Sequence, residues 1–240
     1  MTPARAFVDL HCHTSASFDS LAAPGAVVRT AAARGLTHLA ITDHDRIDGA
    51  LDAQARAATE VPHLKLLVGQ EIRTTGGDLI ALFIHESIPP GLAPAEAVAA
   101  VREQGGLVGM AHPFDRFRGS VGLGETGELE ALAQSVDWIE IWNARLLVGD
   151  GNGRAADLAK RLGVPGVAVS DAHTTMEIGV AATILIGDPS TADGLRAALA
   201  GPLELVTGRA SAYVRLITPA AKLVQLARGR GRVRPPVVTR

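Results

Sequence analysis

Short, nearly unbroken apolar runs alternate along this chain with longer segments of helical periodicity. Residues 7–10, 38–42, 64–68, 79–84, 107–111, 137–142 and 167–170 read as strands. They are mostly apolar and do not alternate regularly with polar residues, as expected of strands covered on both faces. Between them, 24–34, 47–59, 94–104, 129–134 and 152–162 read as helices. Pro24 suits a first helical turn, Gly35 and Gly163 suit helix ends, and Gly105-Gly106 stops the third helix. Thr75-Gly76-Gly77-Asp78 reads as a turn. A further strand at 183–186 and a helix at 191–200, with Thr191 as its N-cap, follow the series. Such strand–helix alternation predicts an α/β fold with a parallel sheet, here a closed or nearly closed barrel of about seven βα units. In that architecture the chemistry gathers at the carboxyl ends of the strands.

Polar residues able to bind metals stand where the strands end. The first strand runs into His11-Cys12-His13, the second into Thr42-Asp43-His44-Asp45, and the third into Gly69-Gln70-Glu71. The fifth reaches Ala111-His112-Pro113 and the seventh Ser170-Asp171-Ala172-His173. Residues two apart on a strand point to the same face, so His11 with His13, and Asp171 with His173, form natural clamps. One such pair alone means little. Five strand ends carrying ligand chemistry predict one polynuclear centre for borderline or hard divalent ions, among which Mn, Zn and Fe are not separable by donor type.

Composition narrows the class. Over 240 residues, 47% are hydrophobic and 20% charged, enough for one barrel-sized core. No apolar stretch is long enough to span a bilayer, and the N-terminus lacks the apolar stretch of a secretory signal. The lone cysteine, Cys12, excludes an internal disulfide framework, and a cytoplasmic location with no membrane partner is expected. Net charge is −2 but uneven: 208–240 holds eight basic residues and no acidic one, leaving 15 basic against 25 acidic residues elsewhere. The chain therefore divides into a barrel at 1–207, with a small C-terminal extension from about 175, and a basic tail at 208–240. Stretch 228–236 is the expected disordered part. A basic tail offers nucleic acid a contact, although no aromatic stacking pattern accompanies it. Oligomeric state is open.

The segments DLHCHTSASFDS, AITDHD, VGQE, MAHP and VSDAH, in this order, resemble the polymerase-and-histidinol-phosphatase (PHP) domain family. The resemblance spans nearly all of 7–173. It implies a distorted (β/α)7 barrel of the TIM-like kind that carries two or three divalent metals and hydrolyses phosphoesters. By that resemblance His11, His13, Glu71 and Asp171 would hold one metal, Glu71 and His112 a second, and Asp19, His44 and His173 a third. Two departures stand out. The loop before Asp19 is one residue longer than usual. The fourth strand also lacks an early histidine, for which His85, just past it in FIHE, is the candidate substitute ligand.

Such a centre lowers the pKa of bound water towards neutrality and neutralises phosphate oxygens, so a metal-bound hydroxide can attack without a protein nucleophile. Neither a Walker loop nor a GxSxG elbow is present. Asp45, His173 and His85 are the candidate proton donors to a leaving group, and the sequence does not choose among them. Arg116, Arg118, Arg145 and Asn143 are the candidate substrate contacts at the barrel mouth, arginine being suited to bidentate phosphate binding. The expected activity is a metallophosphoesterase acting on a small phosphomonoester or on the 5′ end of a nucleotide or oligonucleotide. A histidinol-phosphatase-like enzyme and a metal-binding module without turnover are the alternatives.

Overall fold

A computed structural model describes residues 4–115 and 126–235. The elements run β1 (Arg5–Asp9), α1 (Pro24–Ala33), β2 (His38–Ile41), α2 (Asp48–Glu60), β3 (Lys65–Thr74), β4 (Gly77–Leu82), α3 (Pro94–Glu103) and β5 (Leu107–Met110). They continue with α4 (Thr126–Ser135), β6 (Trp138–Asn143), α5 (Gly151–Leu162), β7 (Gly166–Val169), β8 (Ala181–Ile186), α6 (Ala192–Leu199), β9 (Glu204–Thr207) and α7 (Val214–Ala227). One sheet holds all nine strands in the order β7-β6-β5-β4-β3-β2-β1-β8-β9. Strands β1–β3 are mutually parallel, as are β5–β7, while β4 pairs antiparallel with both β3 and β5.

The sheet curls until its ends meet. Past the regular strands Cys12 bridges to Ala172, with the His13 amide donating to the Ala172 carbonyl at 2.8 Å. Thr183 of β8 joins β7 through its hydroxyl, which donates to the Ala168 carbonyl and accepts from the Ala168 amide. The result is a nearly closed barrel, the shape the strand pattern predicts.

Alternation along the strands divides the core in two. Val8, Ala40, Leu67, Ile80, Leu107 and Val167 belong to one packed group, capped by Leu195 and Leu199 of α6. Their neighbours Leu39, Ile41, Leu66, Val108 and Ile139 pack with helix residues such as Val27, Ala53, Val101 and Leu158. Trp138 is fully buried and lies so close to β5 that a Cβ on Gly109 would stand 2.1 Å from its ring. Only glycine lets the two strands approach there.

Two elements depart from the expected outline. Strand β4 is antiparallel because a tight turn at 75–76 joins it directly to β3, leaving no room for a crossover helix. The basic stretch is ordered into α7 and an extended strap docked on the barrel. Gln225, fully buried, donates from its amide to the carbonyls of Ser15, Ser17 and Ser20. Farther on, Arg73 donates to the Val233 carbonyl at 2.9 Å. Stretch 228–235, expected to be disordered, thus lies against the body as far as it is described. Among the described residues no helix is long and apolar enough to cross a membrane.

Candidate metal centre

The ends of five parallel strands and the beginning of β4 converge on one end of the barrel. His11 and His13 follow β1, His44 follows β2, Glu71 lies within the extended β3, His112 follows β5, and Asp171 with His173 follow β7. All but His44 are buried. Of the four described non-glycine residues with positive φ, three stand here: Asp45 (56°), His112 (26°) and Asp171 (53°). Each sits where the chain turns out of its strand, and such strained backbone persists only where the surroundings over-determine it.

Three groups of donors form within this end: His11, His13 and Asp171; Glu71, Asp78 and His112; and His13, His44 and His173. In the first, the Nε2 atoms of His11 and His13 are 3.0 Å apart. Glu71 Oε2 lies 3.3 Å from both, and Asp171 Oδ1 lies 3.6 and 3.5 Å from them. The bonding around them fixes which nitrogen carries each proton. His11 Nδ1 faces Glu140 Oε1 at 2.7 Å, so it donates. His13 Nδ1 faces the Ser17 hydroxyl at 3.0 Å, and that hydroxyl already donates to Asp43, so His13 Nδ1 donates too. Both Nε2 lone pairs are thereby aimed at one point, together with two carboxylates. The contacts of Glu71 and Asp171 with the two imidazole nitrogens, at 3.3–3.6 Å, and the 3.0 Å between those nitrogens are close to the roughly 3.3 Å that separates ligand atoms around a metal bound at 2.0–2.1 Å. These residues fit a divalent metal.

Charge points the same way. Asp19, Glu71, Asp78, Asp115 and Asp171 all line a cavity of about 500 Å³. Burial opposes protonation of His11, yet Asp171, Glu140 and Glu71 together raise its pKa well above the ordinary histidine value. Burial likewise opposes charge on His44, but Glu71 and Asp19 push it up to about 9. Asp78 is raised to about 6 by burial and by Glu71. Burial opposes charge on Asp19 and Glu71 as well, yet the histidines around them hold both carboxyls well below the usual carboxylate range, so imidazoles and carboxylates here are tightly coupled in charge. Asp19 Oδ1 and Asp78 Oδ1 are buried with no hydrogen-bond partner among the described residues. Asp19 lies 3.5 Å from His44 Nε2 and 3.4 Å from His173 Nε2, which associates it with the third group.

A rigid frame stands behind the donors. Glu140 accepts from His11 on one oxygen and from the His112 amide on the other. Asp43 accepts from Thr14 twice and from Ser17, fixing the loop that follows His13. A Cβ on Gly49 would stand 2.1 Å from Asp43 Oδ2, so α2 packs against this brace only through glycine. Partners of this kind orient metal ligands.

The sequence-based site is brought together in large part. His11, His13, Asp19, His44, Glu71, His112, Asp171 and His173 all meet at this end, and Arg145 lines the cavity. His85 does not. It is exposed, its amide donates to Gln104, and it borders a separate hollow near Phe83 and Ser190. The cause is the reversal of β4: the end of that strand lies at the opposite end of the barrel, and its beginning delivers Asp78 to the donors. Asp45 lies behind the cavity wall, where its Oδ1 accepts from the Arg73 amide. Asn143 is fully buried and donates to both Glu140 and Asp171, so it braces the donors and does not line the cavity. Arg116 and Arg118 lie outside the described residues.

Sequence reasoning also missed Glu140, although a lone acid inside the apolar run WIEIW was a visible signal. It missed Lys222 and Arg232, which reach the cavity from α7 and the strap. Lys222 Nζ lies 5.3 Å and the Arg232 guanidinium carbon 5.1 Å from the centre of the Phe18 ring, each within cation–π range.

Comparison with known proteins agrees with this geometry. The PHP domain profile matches residues 9–141, more than half of the chain, and a PHP-associated profile matches 149–201. The chain belongs to the PHP family. An uncharacterized protein of Methanocaldococcus jannaschii is 32% identical over 146 residues, covering 57% of this chain and 81% of that relative. A 5′-3′ exoribonuclease of Haemophilus influenzae is 37% identical over 100 residues, 40% of this chain and 35% of that enzyme. Among solved structures, a two-domain protein of Bacteroides vulgatus containing a predicted PHP-like metal-dependent phosphoesterase superposes with a TM-score of 0.72 at 19% identity. That match covers 86% of this chain and 66% of the other, and it shows the shared fold. Both PHP profiles end before α7, so the helix and strap lie outside the matched regions.

Proposed function

We propose that this PHP protein is a metal-dependent phosphoesterase acting on a small phosphomonoester or on the 5′ end of a nucleotide or short oligonucleotide. The observation that carries the reading is the convergence of three donor groups on one cavity whose outer wall is cationic. Two or three divalent ions held there, of the Mn, Zn or Fe kind, supply water activation and neutralise phosphate charge. His11, His13, Glu71 and Asp171 would hold one ion, Glu71, Asp78 and His112 a second, and Asp19, His44 and His173 a third.

The chain's own cations do the remaining work. Arg145 is steered into the cavity by Glu177, 3.2 Å from its Nε, and by Thr218, which accepts from Nη2 at 2.5 Å. Held this way it grips a phosphate oxygen with little entropic loss. Lys222 and Arg232 form no ion pair among the described residues and face the cavity, ready for an anionic substrate. A volume of about 500 Å³ suits a ligand of mononucleotide size. Among the three candidate proton donors only His173 lines the cavity, and there its Nδ1 faces the Arg145 guanidinium at 2.6 Å and its Nε2 belongs to the third donor group, so the proton for a leaving group is left to water. The exoribonuclease relative supports a nucleotide end over other phosphoesters. The histidinol-phosphatase alternative loses the feature that favoured it, because His85 is remote from the donors. Part of the uneven charge of the chain also acquires a purpose: Lys222 and Arg232 of the basic tail line the cavity.

The test is product release from a nucleoside 3′,5′-bisphosphate and from a 5′-phosphorylated short RNA by manganese-loaded protein. Turnover of either substrate, absent in Asp171→Asn, is the expected result. Metal-loaded wild type inert across a broad phosphoester panel would instead mark a binding module.

A further inference from the structure

Helix α7 is apolar on both sides. Its inner side packs on the barrel through Val214, Ala221 and Gln225, all buried. Its outer side exposes Tyr213, Leu216, Leu223 and Leu226 at 59%, 69%, 70% and 67%, with Ala220 and Ala227 also exposed. Large apolar side chains this exposed and this close together mark a face that a partner covers. Leu216, Ala220, Leu223 and Ala227 follow steps of four, three and four, which set them in one stripe along the outer face.

The composition of that stripe selects the partner. Set antiparallel against a second copy about a two-fold axis, Leu216 faces the partner's Ala227 and Ala220 faces the partner's Leu223, and the reverse pairs follow by symmetry. Every large side chain meets a small one, the self-complementarity that an isologous interface requires. Most of the nearby described cations are engaged away from the stripe, Arg228 at the helix end being exposed. Lys222 and Arg232 sit over Phe18, Arg230 reaches the Ser15 carbonyl, and Arg209 lies over Trp142. An anionic lipid surface would need those charges beside the stripe.

We propose that α7 is a homodimer contact, two copies pairing their outer leucine–alanine stripes antiparallel about a two-fold axis. The inner side of the same helix carries Thr218 and Lys222 to the cavity, so pairing would steady one cavity wall in each copy. A 14-residue helix is only about 21 Å long, so this contact alone is small and the dimer is weak and concentration-dependent. The inference does not rest on the phosphoesterase reading.

Sedimentation velocity of the full metal-loaded chain over a wide concentration range tests it. Wild type should shift from 24.8 kDa towards twice that mass as concentration rises. Leu223→Glu should stay monomeric. Ala220→Leu should associate less than wild type although it is more apolar, because leucine would then oppose leucine. Wild type monomeric throughout, or Ala220→Leu associating at least as well as wild type, would overturn the proposal. So would monomeric wild type that co-sediments with phosphatidylglycerol vesicles, which would assign the face to lipid.

Discussion

The two walls of the cavity are built on opposite principles. The inner wall consists of strand ends from a closed barrel, with donors such as His11 and Asp171 fully buried and each oriented by a further partner. The outer wall is one helix and an extended strap, held by the Gln225 amide on three carbonyls and by Arg73 on Val233. Buried carboxylates and imidazoles gathered this closely make the inner wall a place suited to divalent metals. The outer wall brings Lys222 and Arg232, which form no ion pair among the described residues, to the same space, suited to a ligand that comes and goes. The proposed function thus places chemistry on the family-matched barrel and substrate affinity on the segment beyond it.

The comparison can be broken from either side. The largest effect should come from Asp171→Asn, which removes a donor from the innermost group: kcat/KM should fall by roughly 10³-fold or more, with far-UV circular dichroism unchanged. Glu140→Gln keeps the shape but loses the charge behind His11, and metal affinity by titration should weaken about 10–100-fold. On the outer wall, Lys222→Ala or Arg232→Ala should raise KM about tenfold with kcat nearly unchanged, the loss of one charge-assisted contact of about 1.4 kcal/mol. A fall in kcat of the same size would place these cations at the reacting phosphate and dissolve the division of labour. The smallest effect belongs to His85→Ala, where kcat/KM should stay within about twofold because the side chain is exposed at the far end of the barrel.

The same division governed what the sequence disclosed. Apolar runs ending in HxH, DHD and DxH motifs reveal the strand ends because burial and ligand chemistry are both written locally there. The turn that reverses β4 was legible at 75–78, but counting the strand as one more parallel unit of the series directed attention to His85 and away from Asp78. Asn143 was legible as a polar residue at a strand end, but its commitment to Glu140 and Asp171 depends on two other strands closing over it. For α7 the signal was obscured by Pro219 within the helix and by the run of arginines beyond it. Its docking rests on one buried glutamine meeting a loop more than 200 residues away.

The central claim, that the inner wall is a metal centre that drives phosphoester hydrolysis, is tested most directly by metal content and turnover measured on the same samples. Wild type and Asp171→Asn would be stripped with chelator, reconstituted with manganese, and assayed for bound metal per chain and for release of product from 5′-phosphorylated RNA and nucleoside bisphosphate. The account predicts that stripped wild type is inactive, that activity returns in proportion to metal bound, and that Asp171→Asn binds less metal and stays inactive. Full turnover by metal-free protein would contradict it.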